Sequence, residues 1–197
     1  MKNNNIQNTK KNYSLSLIFL GYQETGKSTL ACSLTKAQKT KEYNPTIGAD
    51  VSLTSVDTKI NEKTVSVKLK IIDFSGQKRF RCTDSSYIRE GNIIILVFNS
   101  NDEKSFDKLR DIYYNYFGFN GENPFCCLLC NKIDCKGKEN RELIEEALEF
   151  CDKYNILFYY CCSFPENCTN FNNLNIFKNI LQDKILPTYF QNNNIII

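Results

Sequence analysis

Apolar and polar positions along the chain fall into short blocks whose period changes from one block to the next. The run 15–20 (LSLIFL) is nearly all apolar and too short for a helix, so it predicts a buried strand. The stretch 27–36 follows a glycine and predicts a helix. Segments 51–59 and 64–72 alternate polar and apolar residues around Asn61, the pattern of two strands joined by a tight turn. Further strands are expected over 92–98, 124–130 and 156–161, and further helices over 105–117, 139–154 and 170–186. Strands that alternate with helices imply an α/β fold: a mostly parallel six-stranded sheet with helices on both faces and one antiparallel edge strand from the hairpin. Ligands of such sheets sit at the carboxyl ends of the strands. The Asn-rich ends carry too little apolar content to pack. The expected division is therefore a tail over 1–12, one domain over 13–187 and a short tail over 188–197.

Composition narrows the class. The 197 residues, 42% hydrophobic, suit one domain with a single core. A net charge of +3, with lysines spread along the chain, argues against a nucleic-acid partner. No apolar run reaches the roughly 20 residues that span a bilayer, and Lys2 excludes the myristoylation pattern. The ten cysteines lie mostly in strand-like runs such as FCCLLC and FYYCC. Cys127 and Cys130 have CxxC spacing, but no second pair follows and the chain has no histidine. Reduced, buried thiols in a cytoplasmic protein fit better than disulfides or zinc.

The segment GYQETGKS lies between the first strand and the first helix and matches GxxxxGKS. Gly21, Tyr22, Gln23, Glu24, Thr25, Gly26, Lys27, Ser28 and Thr29 are therefore candidate phosphate contacts, because backbone N–H groups and a helix N-terminus favour anions. Lys27 would reach the β- and γ-phosphates, and Ser28 would ligate Mg²⁺. This loop alone leaves ATP and GTP open. The base is read at NKID, directly after the strand CCLLC. Asp134 can accept both donors of guanine's N1/N2 edge, Asn131 can meet its N7/O6 side, and the Lys132 stem can lie along the ring. At the end of the third strand, DFSGQ offers Asp73 to Mg²⁺ through a water, Gly76 N–H to the γ-phosphate and Gln77 to the attacking water. Upstream, EYNPTIG carries Tyr43 and Thr46; the Thr46 hydroxyl and carbonyl can complete the magnesium shell when the γ-phosphate is present.

GxxxxGKS, TIG, DxxGQ and NKxD in this order resemble the Ras superfamily of small GTPases. TIGAD, RFR (79–81), SSYIREG and ILVFN make the resemblance closest to the Rab branch. The likeness runs from about Tyr13 to Leu186. It implies a GTP/GDP switch with Mg²⁺, with Gln77, Lys27 and Thr46 in catalysis. It also implies two nucleotide-sensitive segments that meet effectors, exchange factors and GTPase-activating proteins, and a role in vesicle traffic. A third guanine loop falls by register on Cys162, Ser163 and Phe164, of which the Ser163 backbone N–H would face the base.

Several positions depart from the family. Gln23 and Glu24 stand where relatives carry small residues, the DTAG of relatives reads DFSG, Lys78 replaces an acid, and Lys39 replaces the ring that stacks on guanine. Slow hydrolysis is therefore expected, with a nucleotide-holding scaffold of little turnover as the alternative. The three aromatics that Rabs expose between the switches become Val51, Ile72 and Tyr87: either an aliphatic effector patch, or, for Val51 and Ile72, ordinary sheet residues. The chain closes on NNNIII without a cysteine, so the expectation is no prenylation and only indirect membrane association, on the cytosolic face of endomembranes through a partner.

Overall fold

The computed structural model describes residues 12–35, 46–77, 88, 91–117, 125–133, 140–162 and 176–195. Over these, β1 (Asn12–Gly21), β2 (Ala49–Ile60), β3 (Lys63–Phe74), β4 (Ile93–Asn99), β5 (Cys126–Asn131) and β6 (Leu157–Tyr160) form one sheet in the order β2-β3-β1-β4-β5-β6. All neighbours run parallel except β2 and β3. The α/β architecture anticipated from the alternating pattern is the one found. β1 lies inside the sheet because 17–20 is apolar on both faces: Leu17 and Phe19 enter one core, Ile18 and Leu20 the other.

The helices α1 (Lys27–Leu34), α2 (Glu103–Phe117) and α3 (Arg141–Tyr154) are joined by a C-terminal rod. The rod consists of α4 (Ile176–Ile180), a π-helical turn (Leu181–Ile185) and α5 (Leu186–Asn192). α1 and the rod cover one face of the sheet, whereas α2 and α3 cover the other. α3 starts where the Asn140 side chain accepts the Leu143 N–H and stops at Asn155, whose φ of 53° no helix continues.

β2 and β3 pair without a bulge from Ala49–Phe74 to Ile60–Lys63. Asn61 and Glu62 between them have φ of 48° and 65°, the left-handed pair whose twist suits a two-residue hairpin. Two expected limits shift. The first strand already includes Asn12, opposite Ser66. The helix expected to close at 186 runs on to Asn192, and Tyr189 and Phe190 are buried rather than solvated. Their rings pack edge-on against Phe125 and Tyr13, which makes helix more favourable than a free tail.

The described cysteines are all free thiols. Cys127 points into one core while Cys126 and Cys130 point into the other, so the CxxC pair sits on opposite faces of β5 and cannot share an ion. Burial raises the pKa of Cys126 and Cys127 and pushes Cys151 up to about 12.

Candidate nucleotide and magnesium site

The loop between β1 and α1 is shaped by glycines at two forced points. Gly21 has φ of 153°, and a Cβ there would lie 2.2 Å from the Val97 carbonyl oxygen. Gly26 turns into α1 with φ of 93°. Glu24 also adopts a left-handed φ, of 60°, and its side chain is exposed, so its charge is kept out of the loop. Inside the loop, the Tyr22 carbonyl accepts from the Thr25 hydroxyl at 3.0 Å and from the Lys27 ammonium at 2.7 Å. Lys27 is only 5% exposed. A buried ammonium in a glycine-bounded loop that opens a helix favours an anion there. Thr29 is the third residue of α1, half-buried.

At the mouth of this loop the structure brings together Ser28, Thr46 and Asp73. The Ser28 and Thr46 hydroxyls lie 3.2 Å apart although 18 residues separate them. Asp73, at the end of β3, is 4% exposed, and its Oδ1 is buried without a hydrogen-bond partner. Burial raises its pKa, against the pull of the Ser28 hydroxyl and the Lys27 ammonium; Asp50, directly across the β2–β3 ladder, raises it further. An orphaned carboxylate oxygen beside two hydroxyls is a poor protein interior but a fitting oxygen set for a hard divalent cation such as Mg²⁺. Asp50 was not singled out from the sequence. The hairpin register is what places its charge opposite Asp73.

Beyond Asp73, the backbone folds onto the phosphate loop. A Cβ on Gly76 would lie 2.5 Å from the Gln23 backbone nitrogen and 2.6 Å from the Tyr22 carbonyl carbon, so only glycine fits. Ser75 is buried, and its hydroxyl accepts the Gln77 N–H at 3.3 Å. Gln77 is thus pinned at its backbone, one residue beyond the approach of Gly76 to Gln23.

The base end is tied to the phosphate end. The Asn131 side chain, fully buried at the end of β5, donates to the Thr25 carbonyl at 2.6 Å. Lys132 follows with φ of 62°, a left-handed turn that swings the chain out of the sheet. Cys162 is buried beyond β6. Tyr43, Asp134, Ser163 and Phe164 lie outside the described residues, as do Lys39, Lys78, Arg79, Arg81 and Tyr87.

A family model described as the Ras family matches residues 16–185. The chain belongs to the Ras family. Its relatives place it among small GTPases close to Rab. It is 34% identical over 164 residues to the GTP-binding protein YPTC5 of Chlamydomonas reinhardtii, covering 81% of this chain and 78% of that protein. It is 31% identical over 158 residues to the Ras-related protein Rab-5B of Plasmodium falciparum, covering 80% and 71% respectively. With GTP-binding protein YPT1 of Saccharomyces cerevisiae it shares 32% over 151 residues, 77% of this chain and 71% of that one.

At the sheet edge the structure separates the two readings of Val51 and Ile72. Val51 is 53% exposed, but Ile72, directly opposite it, is 3% exposed and packs beside Ile18 and Phe74. Ile72 is therefore core, not part of an exposed patch. The exposed apolar positions nearby are Ile47 and Leu53, at 76% and 78%. Among the described residues, no helix is long and apolar enough to cross a membrane.

Proposed function

We propose that this Ras-family chain is a Rab-like guanine-nucleotide switch that hydrolyses GTP slowly to GDP and phosphate. The observation that carries the reading is the meeting of the Ser28 and Thr46 hydroxyls beside the buried, partnerless oxygen of Asp73. Thr46 reaches that point from a separate loop, as a γ-phosphate-sensing residue must. Ser28 and Thr46 would hold Mg²⁺, with Asp73 behind a water. When bound, the ion would neutralise charge on the phosphate oxygens.

The chain's own groups supply the rest. Lys27 exchanges its bond to the Tyr22 carbonyl for phosphate oxygens, and the loop N–H groups orient the chain of phosphates. Gln77 orients a water that attacks the γ-phosphorus, breaking the bond to the bridging oxygen and leaving GDP. Asn131, Lys132 and Asp134 read guanine, with Cys162, Ser163 and Phe164 behind the base and Tyr43 beside the ribose-phosphate. Slow turnover would follow from Gln23, whose backbone already abuts Gly76: a side chain of that length would compete for the space that Gln77 needs.

The relatives carry the names Rab and GTP-binding protein, which supports a part in vesicle traffic through effectors, exchange factors and GTPase-activating proteins. The protein would act in the cytoplasm, on the cytosolic face of endomembranes through a partner. The second reading, a guanine-nucleotide-bound scaffold, is favoured by the same Gln23 contact. Chromatography of the nucleotide released from purified protein, followed by single-turnover hydrolysis, decides. Guanine nucleotide with slow turnover is expected. Bound nucleotide that never turns over selects the scaffold, and adenine nucleotide or none overturns both.

A further inference from the structure

Pro187 sits within the C-terminal rod, where a proline in a regular α-helix costs about 3 kcal/mol or more. Its ring would strike the carbonyl four residues back, and it has no N–H to donate. The rod answers with a π-helical turn just before it: the Leu186 N–H reaches back five residues, to the Leu181 carbonyl. The next donor in that register would be the N–H of residue 187, and its acceptor the Gln182 carbonyl. The Thr58 hydroxyl, 3% exposed near the far end of β2, donates to that carbonyl at 2.5 Å. In return the Gln182 side-chain amide donates to the Asp57 carbonyl at 2.6 Å. Val56 and Ile60 on β2 share one core with Ile185 and Leu186, so the exchange takes place against packed apolar surface.

We propose that Thr58 is a surrogate for the donor that Pro187 lacks, and that this bond latches the β2–β3 hairpin to the C-terminal helix in a single register. A two-residue slide of the hairpin preserves its inward and outward faces, but it would carry Thr58 about 7 Å along the strand and strand the Gln182 carbonyl. The other end of the hairpin is closed by the Ser75 N–H, which donates to the Gly48 carbonyl at 2.9 Å. Gly48 itself has φ of 73° and open space where a Cβ would stand. Nucleotide-dependent rearrangement of the Thr46 loop therefore ends at Gly48, and the hairpin stays fixed in both states. This second step rests on the switch reading above; the latch does not.

The test is a double-mutant cycle on the full chain. Thr58→Val should lower the folding equilibrium constant roughly five- to a hundredfold by leaving a buried carbonyl unpaired. Thr58→Ser should hold it near the parent value. Pro187→Ala in the Thr58→Val background should recover most of the loss, because the substitution restores a backbone N–H at that position, while Pro187→Ala alone should change little. Thr58→Val as stable as the parent, or no recovery with Pro187→Ala, overturns the latch. Hydrogen exchange then compares the GDP form with a non-hydrolysable GTP analogue. Equal protection over 57–63 in both forms is expected, and a state-dependent difference there overturns the confinement to Gly48. If the chain takes up neither nucleotide, the switch reading fails in that arm while the stability cycle still decides the latch.

Discussion

Replacing Asp73 by Asn should make the metal-free protein more stable and, at the same time, blind to magnesium. The side chain is 4% exposed and one oxygen meets no donor. Leaving a buried acceptor unsatisfied costs about 1–3 kcal/mol, more when the group is charged. Asparagine keeps the shape and removes the charge, and its amide can donate to the Ser28 and Thr46 hydroxyls. A gain of about 2 kcal/mol is expected in chelator, roughly 4–8 °C for a domain of this size. With Mg²⁺ and nucleotide the order should reverse. At a hundred times its dissociation constant a ligand stabilises the parent by about 2.7 kcal/mol, whereas the variant gains little.

The pH dependence fixes the sign independently. The folded carboxyl holds its proton more tightly than the unfolded one, so its stabilising contribution is full below the ordinary value of 3.8 and is lost as pH rises through the shifted pKa. In chelator, the parent should therefore lose stability relative to Asp73→Asn across that window. Thermal unfolding with and without Mg²⁺ and nucleotide, from acid to neutral pH, measures both effects. A variant less stable than the parent in chelator, or one that gains as much from magnesium, refutes the reasoning.

Gln23→Ser should speed single-turnover GTP hydrolysis by about tenfold, equivalent to about 1.4 kcal/mol of barrier, by clearing the space beside Gly76 and Gln77; an unchanged rate removes Gln23 as the brake. Gly21→Ala should cost roughly 3 kcal/mol in urea unfolding, since its Cβ would sit 2.2 Å from the Val97 oxygen. A parent-like midpoint would mean that β4 yields freely. Cys126, Cys127 and Cys151 carry raised pKa values, Cys151 at about 12. The unfolded chain thus ionises first above the ordinary thiol value of 9.0, and stability should fall as pH rises from there toward 12. Mass-mapped alkylation of the native protein at pH 8 should modify half-buried Cys32 well before these three, and equal rates would contradict their burial.

The elements that could be read from the chain were those whose local chemistry and tertiary role agree. The all-apolar 17–20, the glycines of GYQETGKS and the alternation around Asn61 each demand one conformation, and each adopts it. Pro187 misled for the opposite reason. A proline after an apolar helix normally reads as its stop; here the π turn, the Thr58 hydroxyl on the Gln182 carbonyl and the packing of Tyr189 and Phe190 carry the helix past it. Ile72 stayed open between patch and sheet because a strand position is assigned to core or surface by what covers it, which for this sheet face is Ile88 and the apolar side of α2. Asp50 stood in the sequence only as the end of TIGAD; its charge matters through a cross-strand pairing.

The bond from the Asn131 amide to the Thr25 carbonyl makes a calliper of the binding cleft. The jaw that would grip the base cannot drift from the jaw that would grip the phosphates, because both are spliced at a fully buried joint. Span becomes a selection criterion in its own right: a nucleoside lacking its phosphates, or an inorganic polyphosphate lacking a base, would engage one jaw and leave the other idle. Loosening that joint would blur the measure of length while leaving the chemistry at either end intact.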